Sequence, residues 1–168
     1  MVLGVEDVRL LEGDLRTWQR YGGEVEKGMR EAERLPFGKP PPAGSAFLAT
    51  REDVELMIEE QVDCLIDVRS RAEFEARTSG YDYISAKGRL PTARWGGEAV
   101  ASAFHRIEGL PEKWVPFRGR SDLPLTFYCG TGWRSSLACF YAHVFGFEKA
   151  RNYDGSWLEW SWPSETKS

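Results

Sequence analysis

Two short apolar runs, Cys64-Leu65-Ile66-Asp67-Val68 and Leu125-Thr126-Phe127-Tyr128, constrain this chain more than anything else in it. Each is continuous rather than alternating, the pattern of a strand buried on both faces in a parallel sheet. Helical signals alternate with them. Thr50-x-x-Asp53 is a capping box that opens a helix carrying Val54 and Ile58 on one face. Arg71 to Ala76 reads as a short helix. Val100, Ala103, Phe104 and Ile107 recur at helical spacing, as do Leu137, Phe140, Tyr141 and Val144. Ala150 to Tyr153 and Trp157 to Trp160 close the series. Such alternation predicts an α/β fold, a parallel sheet flanked by helices on both faces. In sheets of that kind, sites lie at the carboxyl ends of the strands.

The rest of the composition excludes several classes of function. The chain has 168 residues and a net charge of −4, with acidic and basic residues interspersed, so no basic surface for nucleic acid is expected. No apolar run approaches the roughly 18 to 20 residues that cross a bilayer, so no membrane span is expected. Residues 1–10 lack the basic-then-apolar layout of a signal peptide. Three cysteines (Cys64, Cys129 and Cys139) form no CxxC pair and no disulfide framework, which points to a reducing, cytoplasmic setting. His105 and His143 stand apart without ligand-like spacing, so no metal and no other cofactor is expected. The seven tryptophans fall in separate segments, as core residues do. Nothing in the sequence sets an oligomeric state.

A short pattern occurs at both ends. Gly4, Glu6, Arg9, Gly13 and Trp18 recur at a constant offset as Gly146, Glu148, Arg151, Gly155 and Trp160. Both copies read as a short strand, an acidic-Gly turn and a short helix with its Trp on the buried face. Residues 1–28 therefore read as the last strand (Val8 to Leu11) and helix of a preceding unit. Residues 29–45 carry Pro36, Pro40, Pro41 and Pro42 among glycines and read as an extended linker. The main domain is expected over residues 46–168.

The chemistry concentrates where the second apolar strand ends. Cys129-Gly130-Thr131-Gly132-Trp133-Arg134 joins that strand to a helix. A cysteine there faces a helix N-terminus, whose unpaired amides and dipole stabilise an anion, and Arg134 adds a full positive charge. Such surroundings lower a thiol pKa from about 8.5, and each unit corresponds to about 1.4 kcal/mol of preference for the thiolate, the nucleophilic form. Gly130 and Gly132 let successive amides converge into an anion nest. An inert thiol in a turn explains neither the glycines nor the arginine. Cys64, within a strand, and Cys139, within a helix, read as core.

These residues resemble the rhodanese family over about residues 46 to 162. Asp67-Val68-Arg69 followed by Glu73-Phe74 is similar to its first-strand signature. Gly88-Arg89-Leu90-Pro91-Thr92-Ala93 resembles its Gly-His-Ile-Pro-Gly-Ala turn, and Asp154-Gly155-Ser156-Trp157 its closing motif. The Cys129 loop resembles that of multidomain thiosulfate sulfurtransferases, and the repeated tail resembles the C-terminal part of a tandem-rhodanese protein. The resemblance implies a sulfurtransferase: Cys129 takes the outer sulfur of a small anionic donor such as thiosulfate, and the resulting persulfide passes it to a thiol or to cyanide. It also implies that the amides of Gly130, Thr131 and Gly132 hold the persulfide, that the Thr131 hydroxyl donates to it, and that Trp133 walls the pocket. Arg134 either holds the donor or pairs with a carboxylate. Asp67, Arg69 and Glu73 form a supporting polar network, or Arg69 and Glu73 form a surface pair. Phosphatases and arsenate reductases of this fold use a loop one residue longer. In two-domain mercaptopyruvate enzymes an arginine that contacts the substrate stands where this chain has Glu73, which makes 3-mercaptopyruvate the less favoured donor. A non-catalytic binding module usually lacks the loop cysteine. Residues 79–84 are an insertion relative to small members and a candidate pocket rim.

Overall fold

A computed structural model of the chain describes residues 9–11, 13–29, 31, 46–61, 64–97, 114 and 124–162. The chain divides into two units, Met1–Ser45 and Ala46–Ser168. In the first, Asp14 caps helix α1 (Leu15–Arg20) by accepting from the Thr17 amide at 2.8 Å. Helix α1 buries none of its residues, and Trp18, expected on a buried face, is 43% exposed. Its indole donates instead to the Glu24 carbonyl at 2.9 Å, folding the chain back over the ring. Residues 9–11 form no strand; Val8, on which the predicted strand also rested, lies outside the described residues.

The second unit is built on five parallel strands, β1 (Leu48–Ala49), β2 (Leu65–Asp67), β3 (Arg94–Trp95), β4 (Thr126–Tyr128) and β5 (Arg151–Tyr153), in the order β1-β5-β4-β2-β3. The two apolar runs form the adjacent strands β2 and β4, with Ile66 opposite Phe127. All six of their residues are buried, as strands covered on both faces must be. Helix α2 (Arg51–Glu59) starts at the predicted capping box, both halves of which are present, and buries Val54 and Met57. Helix α3 (Arg71–Phe74) starts at a second capping box, made by Ser70 and Glu73. Helix α4 (Trp133–Val144) packs on β4 and β5, and α5 (Ser156–Ser161) follows β5.

The inward face of α4 includes Tyr141, as expected, but its other buried residues are different ones. Ser135, Ala138, Cys139, Tyr141 and Ala142 are buried, whereas Val144 is 63% exposed. Apart from Tyr141 the buried residues are small, and the larger Leu137 and Phe140 pack at the margin of the core. Of the tryptophans, Trp114 and Trp157 are buried, while Trp18, Trp133 and Trp162 are exposed. Trp114 lies against Phe127 and Phe147, with ring centroids 5.0 and 6.3 Å apart. Residues 98–107, including the expected helix and His105, lie outside the described residues. Among the described residues no helix is long and apolar enough to cross a membrane, and no cluster of His, Cys, Asp and Glu suits a metal ion.

The strand order positions the site. From β2 the chain proceeds to β3 on one side, and from β4 to β5 on the other. The loops leaving β2 and β4 therefore diverge, opening a crevice at the carboxyl ends of two neighbouring strands. Val68 to Glu73 follow β2, and Cys129 to Arg134 follow β4.

Candidate active site

Cys129 is the first residue after β4 and is fully buried. Its carbonyl accepts from the Trp157 amide at 3.0 Å, and that of Gly130 from Leu158 at 2.9 Å, which fastens the loop to α5. The Cys129 amide donates to Ser156 Oγ at 3.1 Å, and that hydroxyl donates to the Tyr153 carbonyl at 2.8 Å. With its outer edge tied in this way, the loop turns the amides of Thr131 and Ser135 toward the sulfur. Gly132, the N-cap of α4, has φ +87° and no capping side chain, so the first amides of the helix are left for whatever occupies the loop.

Opposing forces act on the thiol. Burial pushes its pKa up, but hydrogen bonds from the Ser135 hydroxyl and amide and the Thr131 amide, with the charge of Arg134, outweigh it and hold Cys129 below the ordinary thiol range. The Ser135 hydroxyl lies 3.5 Å from Sγ and 3.0 Å from the Gly132 carbonyl. Its single proton serves one acceptor at a time, and a thiolate is the stronger one. Cys139 shows the contrast: burial alone pushes its thiol up to about 12, so it stays protonated and inert.

Arg134 takes the carboxylate role. Its guanidinium donates to both oxygens of Glu73, at 2.8 and 2.9 Å, and to the Tyr81 hydroxyl at 3.3 Å. Tyr81 comes from the 79–84 insertion; its hydroxyl is also 3.4 Å from the Thr131 hydroxyl, and its ring fills the space beside Gly130. The insertion thus rests on the loop. The Thr131 side chain meets Tyr81, so it is the amide of Thr131 that reaches Cys129. Trp133, the first residue of α4, is 82% exposed.

Asp67 and Arg69 lie beneath the site. Arg69 is fully buried, bonded to Asp67 at 2.6 Å and to the Gly88 carbonyl at 2.7 Å, with its guanidinium over the rings of Tyr128 and Trp157. The Tyr128 hydroxyl donates to Asp67 at 2.6 Å; burial and the carboxylate keep it protonated far above its ordinary range. This network locks the end of β4 from which Cys129 projects. A surface pair of Arg69 with Glu73 does not form, since Arg69 is bonded to Asp67 and Glu73 to Arg134. Ser135 and Ser156 are the residues that inspection of the sequence passed over. The only signal for Ser135 was its place one residue past the loop arginine, where a first helical turn curls back over the loop.

The model of the rhodanese-like domain matches residues 50–161. This chain belongs to the rhodanese family. Its relatives include the thiosulfate sulfurtransferase YnjE of Escherichia coli, 36% identical over 94% of this chain and 39% of the relative. The putative thiosulfate sulfurtransferase SseA of Mycobacterium bovis is 33% identical over 95% of this chain and 56% of its own length. The chain thus spans between about two-fifths and three-fifths of these rhodanese relatives. Among solved structures, YnjE superposes with a TM-score of 0.80 at 34% identity, covering 95% of this chain and 42% of that one. An anaerobic ergothioneine biosynthesis enzyme from Chlorobium limicola, solved with trimethyl histidine, reaches 0.83 at 33% identity over 95% and 40%. The structure of EanB with a cysteine persulfide and ergothioneine reaches 0.82 at 32% identity over 95% and 41%.

Proposed function

We propose that this rhodanese domain is a sulfurtransferase that accepts sulfane sulfur from thiosulfate on Cys129 and hands it to a thiophilic acceptor. The observation that carries this reading is the convergence on one buried sulfur of the Thr131 and Ser135 amides and the Ser135 hydroxyl. In the first step the Cys129 thiolate attacks the outer sulfur of thiosulfate. The S–S bond of the donor breaks, and sulfite leaves with the electron pair. The persulfide extends about 2 Å beyond the original sulfur, toward the mouth of the loop. In the second step cyanide or a thiolate takes the terminal sulfur, and Cys129 leaves as a thiolate held by the same donors. Neither leaving group needs a proton, so the site requires no histidine.

3-Mercaptopyruvate is the less favoured donor, because Glu73 stands where the two-domain mercaptopyruvate enzymes that this chain resembles have an arginine that contacts the substrate. The EanB persulfide structure supports the persulfide itself and leaves the acceptor open. The test is thiocyanate formation from thiosulfate and cyanide by this chain and by Cys129→Ser. Turnover by the chain and loss of at least about a thousand-fold in the variant are expected. If neither forms thiocyanate and no persulfide is seen by mass spectrometry, thiosulfate is not the donor; the same assay with 3-mercaptopyruvate then separates another donor from a binding module.

A further inference from the structure

We infer that Glu73 is a positioning residue that sets how strongly the site holds a dianionic donor, by withholding the charge of Arg134 from it. This inference rests on the sulfurtransferase reading and goes beyond it. Arg134 is the loop cation, and a free guanidinium fork is the standard partner for an oxyanion. Here the fork is occupied, since both of its terminal nitrogens bond to the carboxylate of Glu73.

Glu73 is the anchored partner of the two. Its side chain is 4% exposed, against 22% for Arg134. One of its oxygens also accepts from the Ser70 amide at 3.0 Å, closing the capping box of α3. Gly80, at φ +80°, passes so close that a side chain there would strike the carboxylate. The carboxylate is therefore fixed by helix α3 and by the 79–84 segment before Arg134 reaches it. A donor such as thiosulfate has to compete for Arg134 with an anion that cannot withdraw.

The consequence concerns product as well as donor. Thiosulfate and sulfite both carry negative charge on oxygens bound to sulfur, so an uncompensated Arg134 would retain sulfite after the S–S bond breaks. With Glu73 in place, the sulfur is held by the loop amides and the departing oxyanion is not. Tyr81, bonded to both Arg134 and Thr131, keeps the guanidinium turned toward the carboxylate.

The test is Glu73→Gln. Glutamine keeps one oxygen for the Ser70 amide and one nitrogen of Arg134; it removes the charge and replaces the second acceptor of the fork with an amide that cannot accept. In the full chain, KM for thiosulfate is expected to fall about five-fold, with a smaller change in kcat, and sulfite is expected to become a correspondingly stronger inhibitor. In Glu73→Gln combined with Arg134→Gln, the gain should vanish. A second measurement does not depend on sulfur transfer: the ratio of Cys129 alkylation rates by iodoacetate and by iodoacetamide, followed by mass spectrometry. Any change in thiolate fraction cancels in this ratio, which is expected to rise about five-fold in Glu73→Gln. An unchanged alkylation ratio, in a variant with native circular dichroism, would overturn the inference. Absence of wild-type turnover with thiosulfate would overturn the donor assignment, while the ratio still decides the role of Glu73.

Discussion

At the scale of single residues, the reactivity of Cys129 is a contest that burial loses. A sulfur removed from water prefers to be a neutral thiol, as Cys139 does, with its pKa at about 12. What reverses the balance at Cys129 is a few hydrogen bonds aimed at the sulfur and one nearby charge. Ser135→Ala removes one of those bonds without touching the backbone. Because the wild-type pKa is lowered, sulfur uptake should persist below the ordinary thiol range as pH falls, and the variant should lose it at higher pH. A charge-assisted hydrogen bond contributes about 1.5 kcal/mol or more, so the uptake rate near neutral pH should drop on the order of ten-fold and recover in alkali. Measuring persulfide formation against pH in both proteins checks this; profiles with the same midpoint would remove Ser135 from the account. Cysteine, glycine and arginine were legible in the sequence because each has a property few other residues share. Serine at the start of a helix is too ordinary to signal that its hydroxyl turns back onto a sulfur.

At the scale of elements, the loop works because two of its positions admit no side chain. Gly130 lies against the Tyr81 ring, and Gly132 combines φ +87° with the Asp154 carbonyl 2.6 Å from where a Cβ would be. A left-handed conformation costs a non-glycine residue about 1 kcal/mol, and the collision with backbone adds to it. Gly132→Ala should therefore lower the urea midpoint by an amount corresponding to roughly 2 kcal/mol or more. It should also slow Cys129 alkylation, since α4 could no longer begin where its amides face the sulfur. A variant as stable and as reactive as the parent would mean that the loop relaxes freely. Strands β2 and β4 and the caps of α2 were legible because apolar continuity and capping are local. The partner of Arg134 was not, for Glu73 lies 61 residues away. The sequence offered a generic carboxylate; only the adjacency of β2 and β4 identifies which.

At the scale of the molecule, the described residues that form the buried core cluster lie between Ala49 and Trp157, within the second unit. The alternation of strands and helices predicted a parallel sheet, yet it could not order five strands, because parallel neighbours are joined by long crossovers that leave no local trace. That order gives a sharp boundary for the folding unit. Strand β1 is an edge of the sheet, paired to β5 through Leu48 and Ala49, and the Phe47 carbonyl accepts from the Asn152 amide at 2.8 Å. A chain that begins at Ala46 keeps these bonds and the Thr50 cap of α2. It should fold and transfer sulfur at a rate within about two-fold of the longer chain. A chain that begins at Arg51 loses the edge strand, uncovers β5 and removes the cap, which alone contributes about 1 kcal/mol. Since β5 ends at Tyr153, whose carbonyl holds Ser156 and through it the amide of Cys129, the damage should reach the site. Comparing unfolding midpoints and thiocyanate formation for the two truncations tests this chain of contacts. If both behave like the full chain, the edge strand does not support the loop; if both fail, residues before Ala46 are needed for the second unit to fold.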